Sequence, residues 1–180
     1  MQIQFLKNFF NKTIKYDMIN KFRYNSSKKI PCITTSVLHI KCKTTDIHKL
    51  ASSLLALNLI SQQNGIMTKA KKPLLLLKIR KGNPIGCKTR LTKKQTFYFF
   101  ENIITDIFPR LKTVIKINLE NKINKTLSYH TKEISIFPEV EANFYVFQTL
   151  SDLDVNIATN SNKKIELVFL LKSLQQLPYK

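Results

Sequence analysis

The stretch MTKAKKPLLLLKIRKGNPIGCKTRL, residues 67–91, decides how the rest of the chain is read. It contains Gly82 and Gly86, in a protein that has only 3 Gly among 180 residues. The segments LLLLKIR and CKTRL flank GNPIG, a pattern that predicts a strand, a loop over about 81–86 and a second strand. IMTKAKKP, just before, reads as a short extended segment. Pro84 fixes φ, while Gly82 and Gly86 permit positive φ and close backbone approach, so the loop is stiff and its amides are open to a ligand. A nucleotide-phosphate cradle, a nucleic-acid-contacting hairpin tip and an ordinary tight turn all fit at this level.

The cradle fails on spacing. A phosphate-binding P-loop needs four residues between its glycines and a lysine directly after the second. Here Asn83, Pro84 and Ile85 separate the glycines, and Cys87 precedes Lys88. A strand rather than a helix follows, which removes the helix N-terminus that would hold the phosphate. The other two readings survive. Lys78, Arg80, Lys81, Lys88 and Arg90 on the stems, extended by Lys69, Lys71 and Lys72, favour a tip that touches a sugar-phosphate backbone.

Outward from the hairpin, apolar periodicity predicts a first helix over 5–22, through Leu6, Phe9, Phe10, Ile14, Met18 and Ile19. YNSSKKIP breaks it, and CITTSVLHIKC reads as a strand. Asp46 is the expected N-cap of a helix carrying Leu50, Leu54, Leu57 and Ile60, with Gly65 as its stop. Thr92 is expected to cap a helix with Phe97, Phe100, Ile104 and Ile107 inward and Pro109 at its end. Residues 111–132 show no period and read as irregular, leading into a strand at EISIF. DLDVNIAT alternates as a strand, and KKIELVFLLKSLQQL closes the chain as a helix, giving a strand and helix over 152–180.

These elements predict an α+β fold: an antiparallel-rich sheet with helices packed on one face, in a single compact domain over 1–180 with a basic protruding hairpin over 69–90. There are no internal repeats, and no apolar run approaches the roughly 20 residues of a membrane span, so no membrane partner is expected. The amphipathic start, residues 1–22, is rich in Lys but poor in Arg and Ser. It reads as a helix of the mature protein rather than a presequence.

Charge narrows the partner. Thirty Lys and Arg against 11 Asp and Glu give a net charge of +19, which repels itself unless an anionic partner neutralises it. Between residues 18 and 100 the only carboxylate is Asp46, so the positive charge concentrates in the amino-terminal half. That asymmetry is the footprint of a nucleic-acid binder. Only Arg23, Arg80, Arg90 and Arg110 are arginine, and abundant Lys, Asn, Ile and Phe point to AT-rich coding, as in organelle or parasite genomes. Cys32, Cys42 and Cys87 have neither zinc-ligand spacing nor an even count, and read as unpaired thiols. No metal or other cofactor is implied.

Catalytic patterns are missing as well. His39, His48 and His130 lie in unrelated elements, and Glu139/Glu141 and Asp152/Asp154 read as solvated strand-edge or turn charges. An enzyme is not expected. The alternative is a basic organellar nucleic-acid-processing enzyme of nuclease type, which would need carboxylates set against the cationic face to hold a metal.

Beyond the hairpin, a wider pattern emerges. MTKAKKPLLLLKIRKGNPIGCKTRL resembles the central signature T-K-A-[RK]-K…F-K-[IL]-R-x-G-x-P-I-G of the large-subunit ribosomal protein L-five family. KFRYNSSKKIPCI, FYFFENIITDIFPRLK, ISIFPEVE, DLDVNIAT and the terminal LPYK resemble further family blocks in the same order, over residues 16–180. The resemblance implies an α+β, non-catalytic protein of the central protuberance. Its implied partners are 5S rRNA and an adjacent large-subunit rRNA helix, peptidyl-site (P-site) tRNA through the loop 71–86, and neighbouring ribosomal proteins, including a small-subunit protein at an intersubunit bridge. The implied RNA-binding set is Lys69, Lys71, Lys72, Lys78, Arg80, Lys81, Gly82, Pro84, Gly86, Lys88 and Arg90, with His39 and Gln63. HIKCKTT replaces the family's N-x-G-x-G turn, so His39 stands where an RNA-facing Asn is usual, and PLLLL is more apolar than the family's loop tip. The composition and resemblance together suggest a mitochondrial ribosome in the matrix, with a plastid as the alternative.

Overall fold

A computed structural model describes residues 5–42, 46–73, 75–92, 94–110, 126–131, 134–150, 152–161 and 163–174. In chain order the elements are α1 (Phe5–Phe9), a π-helical turn (Phe10–Ile14), α2 (Lys15–Lys21), β1 (Ile33–Lys41), α3 (Ile47–Ser61), β2 (Ile66–Lys69) and β3 (Pro84–Thr92). There follow α4 (Lys94–Asn102), a π-helical turn (Ile103–Ile107), α5 (Phe108–Arg110), β4 (Thr126–Thr131), α6 (Pro138–Glu141), α7 (Phe144–Phe147), β5 (Leu153–Thr159) and α8 (Lys164–Ser173). The strands form one sheet in the order β2-β3-β1-β5-β4, with β2 and β3 antiparallel. The α+β class and the antiparallel sheet are those expected. No helix among the described residues is long and apolar enough to cross a membrane.

Alternation along the strands gives the sheet one packed face. Ser36, Leu38 and Ile40 of β1, Cys87, Thr89 and Leu91 of β3, and Leu153, Val155, Ile157 and Thr159 of β5 are buried. Their neighbours Lys41, Lys88, Arg90 and Asn156 are exposed, because successive side chains point to opposite sides.

The chain divides into two compact units. The first comprises the described residues of Met1–Ser36, Thr92–Tyr129 and Asn156–Lys180. Its helices meet through rings: Phe10 lies 6.0 Å from Phe97, and Phe22 meets Phe169 edge-on at 5.7 Å, with Lys21 over the Phe169 face at 4.3 Å. Asn160, just past β5, ties the entry of β1 to it. Its Oδ1 accepts from the Cys32 N–H at 2.6 Å, and its Nδ2 donates to the Ile30 carbonyl at 3.3 Å. Asn160→Ala strands these backbone groups, and it is expected to lower the unfolding free energy by about 1–3 kcal/mol. Urea denaturation measures this; an unchanged midpoint would show that the tie contributes nothing.

The second unit comprises the described residues of Val37–Leu91 and His130–Val155. Here α3 lies on the packed side of the sheet: the Cys87 thiol donates to the Leu50 carbonyl at 3.7 Å, and Cys42 Sγ sits 3.2 Å from Ser53 Oγ. Leu50, Leu57 and Ile60 are buried there, each burial contributing about 1.5–3 kcal/mol. All three cysteines are free thiols, as expected.

Several expectations are corrected. The described residues of LLLLKIR do not form a strand: Leu75–Leu77 make a single 3-10 turn, Ile79 makes only an isolated bridge, and the hairpin partner of β3 is β2. Pro73 has no N–H for a ladder, and four consecutive leucines lack the alternation of a half-buried strand. EISIF is not a strand either. Ile134–Ile136 make a 3-10 turn that delivers Pro138 to the first position of α6, where its fixed φ suits a helix start. The strand lies earlier, at β4, inside the stretch expected to be irregular; residues 111–125 and 132 of that stretch, and the terminal LPYK, lie outside the described residues.

Asp46 precedes α3 without a side-chain cap, pairing instead with Lys49 at 3.4 Å. The helix ends not at Gly65 but at Gln62, which adopts φ 53°, while Ser61 Oγ donates to the Leu57 carbonyl at 2.6 Å. Thr92 ends β3 instead of capping a helix, and Pro109 lies within α5 rather than after the helix. The first helix runs Phe5 to Lys21 through its π-helical turn. In the later π-helical turn, Ile103 takes the fully buried place expected for Ile104. One extra residue per turn rotates the inward face.

Candidate nucleic-acid interface

The β2–β3 hairpin belongs to the second unit, and its register runs Ile66 with Lys88, Met67 with Cys87, Thr68 with Gly86 and Lys69 with Pro84. The ladder shifts between Thr68 and Lys69, and from there the two backbones open into a loop over 70–83. Its neck is closed by Ala70 N–H to the Asn83 carbonyl at 2.8 Å and Gly82 N–H to the Ala70 carbonyl at 3.0 Å. The Asn83 N–H bonds back to the Arg80 carbonyl at 3.2 Å, making a tight turn in which Gly82 adopts φ +91°. A positive φ at the third residue is the type II signature, and it favours glycine there.

Gly86 behaves differently from the expectation. It lies inside β3 with no positive φ, and it is buried, so its amide is not offered to a ligand. A Cβ built on it would come within 2.6 Å of the Ile40 carbonyl oxygen and 3.2 Å of Thr68 Oγ1. The glycine is there so that β1 can approach. Pro84, half-buried, begins β3 rather than shaping the turn.

Lys69, Lys71, Lys72, Lys78, Arg80, Lys81, Lys88 and Arg90 are all exposed, and no carboxylate occurs between residues 69 and 90. Lys78 adopts φ 53°, a left-handed conformation costing a non-glycine residue about 1–2 kcal/mol. That bend follows the 3-10 turn, whose Lys78 N–H donates to the Leu75 carbonyl at 3.0 Å. Ile79 behind it is buried and anchors the loop.

Lys88 and Arg90 project from the outer face of β3, Lys88 close enough to His39 of β1 to act on its charge. The outer face is cationic but not uniformly so. Asp154 of β5 receives Lys41 Nζ at 2.5 Å and His130 Nδ1 at 2.7 Å, while His130 Nε2 lies 3.2 Å from Asp152. Burial alone would raise the Asp154 carboxyl, but the hydrogen bonds and charges of Lys41 and His130 outweigh it and hold the group below its ordinary range. His39 is pushed below its ordinary value, first by burial and then by Lys41, with Lys88 adding to it against the opposing pull of Asp154. A neutral imidazole presents one donor and one acceptor.

The structure thus brings Lys69, Lys71, Lys72, Lys78, Arg80, Lys81 and Gly82 onto one loop, and Lys88, Arg90 and His39 onto the adjoining sheet face. Gln63 stands at the turn after α3, its N–H donating to Ser61 Oγ at 3.2 Å. Sequence reasoning missed Asp154, which reads as an edge charge but is central; its place inside an alternating strand was the available signal. Among the described residues, no group of three His, Cys, Asp or Glu side chains is arranged to hold a metal ion.

Comparison with known proteins places this basic α+β chain among structural proteins of the ribosome. It is 32% identical over 174 residues to large ribosomal subunit protein uL5m, the mitochondrial form, of Reclinomonas americana, covering 94% of this chain and 95% of that protein. It is 28% identical over 175 residues to uL5 of Blochmanniella floridana, covering 94% and 90%. It is 31% identical over 181 residues to the chloroplast form, uL5c, of Oedogonium cardiacum, covering 98% of each chain. No family model matches the chain. The chain belongs to the large ribosomal subunit protein uL5 family, the family that the ordered sequence blocks resemble. Mitochondrial and chloroplast relatives are in keeping with the expected mitochondrial setting and its plastid alternative.

Proposed function

We propose that this chain is a non-catalytic constituent of a mitochondrial large ribosomal subunit, binding rRNA in the central protuberance. The rRNA is 5S rRNA, adjacent large-subunit rRNA or both, and the loop 71–86 reaches P-site tRNA. The observation that carries this reading is the hairpin over 69–90, whose eight exposed cations face no carboxylate of their own segment. Such an array neutralises phosphates and releases counterions. His39, neutral beside Lys88, supplies the paired donor and acceptor that the family's RNA-facing Asn would give.

The protein contact across the subunit boundary belongs on a different surface. Residues 134–148 contain no Lys or Arg and carry Glu139 and Glu141. Phe144, Tyr145 and Val146 are exposed there, at 51%, 90% and 55%. An apolar, acidic patch suits a basic protein and repels RNA.

The test is twofold. In a gradient of native organelle lysate the protein should travel with the large subunit, and free sedimentation would overturn the reading. With purified protein, Arg80→Ala combined with Lys88→Ala should flatten the log–log salt dependence of rRNA binding by about 1.4–1.8. An unchanged slope would remove the assigned face.

A further inference from the structure

The tip of the cationic loop is apolar. Leu75, Leu76 and Leu77 are 92%, 99% and 52% exposed, next to a loop anchor, Ile79, that is only 4% exposed. Among the described residues of the loop, Ala70 and Ile79 are buried while these three leucines stay in water. Their presentation is built in: the 3-10 turn closed by Lys78 N–H to the Leu75 carbonyl at 3.0 Å, and the left-handed Lys78 after it, hold the tip out from the hairpin. Exposed apolar clusters of this kind mark a binding surface.

Charge says what kind. Lys71, Lys72, Lys78, Arg80 and Lys81 make five cations among the eleven residues 71–81, with no carboxylate. A basic or neutral protein cleft has nothing to pair with such a collar, whereas a polyanion does. A continuous A-form duplex satisfies the collar but not the leucines, since it displays phosphates, hydroxyls and polar base edges with its base faces stacked inside. An RNA loop or bulge offers both, phosphates outside and unstacked base faces within reach.

We propose that Leu75, Leu76 and Leu77 form a wedge that packs against unpaired, unstacked bases of a folded RNA while the surrounding Lys and Arg side chains grip its phosphates. This rests on the RNA-binding reading of the hairpin and adds what the hairpin recognises: a loop or bulge in preference to a paired stem.

The experiment compares the full chain with a Leu75→Ser, Leu76→Ser, Leu77→Ser variant on two RNAs bearing equal numbers of phosphates. One is a hairpin whose unpaired loop carries 2-aminopurine, and the other is a blunt duplex. The substituted side chains are exposed, so the melting temperature serves as the control for folding. The wild type should prefer the hairpin and change the 2-aminopurine emission on binding. The variant should lose about tenfold or more on the hairpin, little on the duplex, with the same salt slope on both.

Equal losses on the two RNAs, or none on the hairpin, would overturn the wedge while leaving RNA binding intact. Leucine-dependent sedimentation with phosphatidylserine-containing vesicles, at unaltered RNA affinity, would overturn it in favour of a membrane. If the wild type binds neither RNA in a salt-dependent way, the underlying RNA reading fails and takes the wedge with it.

Discussion

Gly86→Ala is expected to lower the melting temperature by about 5–10 °C, corresponding to roughly 2–3 kcal/mol in a chain of this size. The new methyl would meet the Ile40 carbonyl oxygen at 2.6 Å, and that atom belongs to the backbone of a central strand. A flexible side chain could swing away, but a carbonyl in a sheet cannot move without displacing its ladder. Thr68 Oγ1 at 3.2 Å and His39 Nε2 at 3.4 Å narrow the space further. Gly82→Ala is the matched control, because a Cβ there meets nothing within 4 Å and the penalty comes only from φ +91°. It should cost about 1 kcal/mol, or some 2–4 °C. Circular dichroism melts of the two variants decide the matter, and a Gly86→Ala melt no lower than that of Gly82→Ala would refute the close-approach account.

The second large effect is electrostatic. Changing Lys71, Lys72, Lys78 and Lys81 together to Gln should reduce rRNA affinity by about 10²–10³-fold near 0.15 M salt and flatten the log–log slope by about 3. Each of these side chains is exposed, so the melting temperature should hold while binding collapses. Filter binding or fluorescence anisotropy across a salt series gives both numbers. A slope that changes by less than about 1 would mean that the loop cations face solvent, not phosphate.

How much of this was legible beforehand depends on whether a feature is local. β1 and β5 could be read because β-branched and apolar residues alternate with polar ones, and α3 because Leu50, Leu57 and Ile60 share one helical face. The runs LLLLKIR and EISIF have apolar content without alternation, which periodicity cannot assign, and Pro73 and Pro138 turned both away from the ladder. The same division holds in the site. Lysines announce an anionic partner by composition, and Gly82 announces a tight turn by its neighbours. Gly86 could not announce the Ile40 carbonyl across the sheet, nor Asp154 its engagement by Lys41 and His130, because those partners are remote in the chain. The leucines read as a strand from their pattern alone, and only the family resemblance set PLLLL at a loop tip.

Asp154 bears on the time before assembly. A chain of charge +19 must hold its sheet together while no RNA yet surrounds it. With its carboxyl held below the ordinary range, Asp154 contributes stability that is present above the ordinary carboxylate pKa and is lost only as pH falls through the lowered value. At neutral pH it is therefore ionised, an internal counterion for Lys41. On the RNA-binding reading proposed above, the newly made protein carries its own small substitute for a phosphate, held by Lys41 until the nucleic acid arrives.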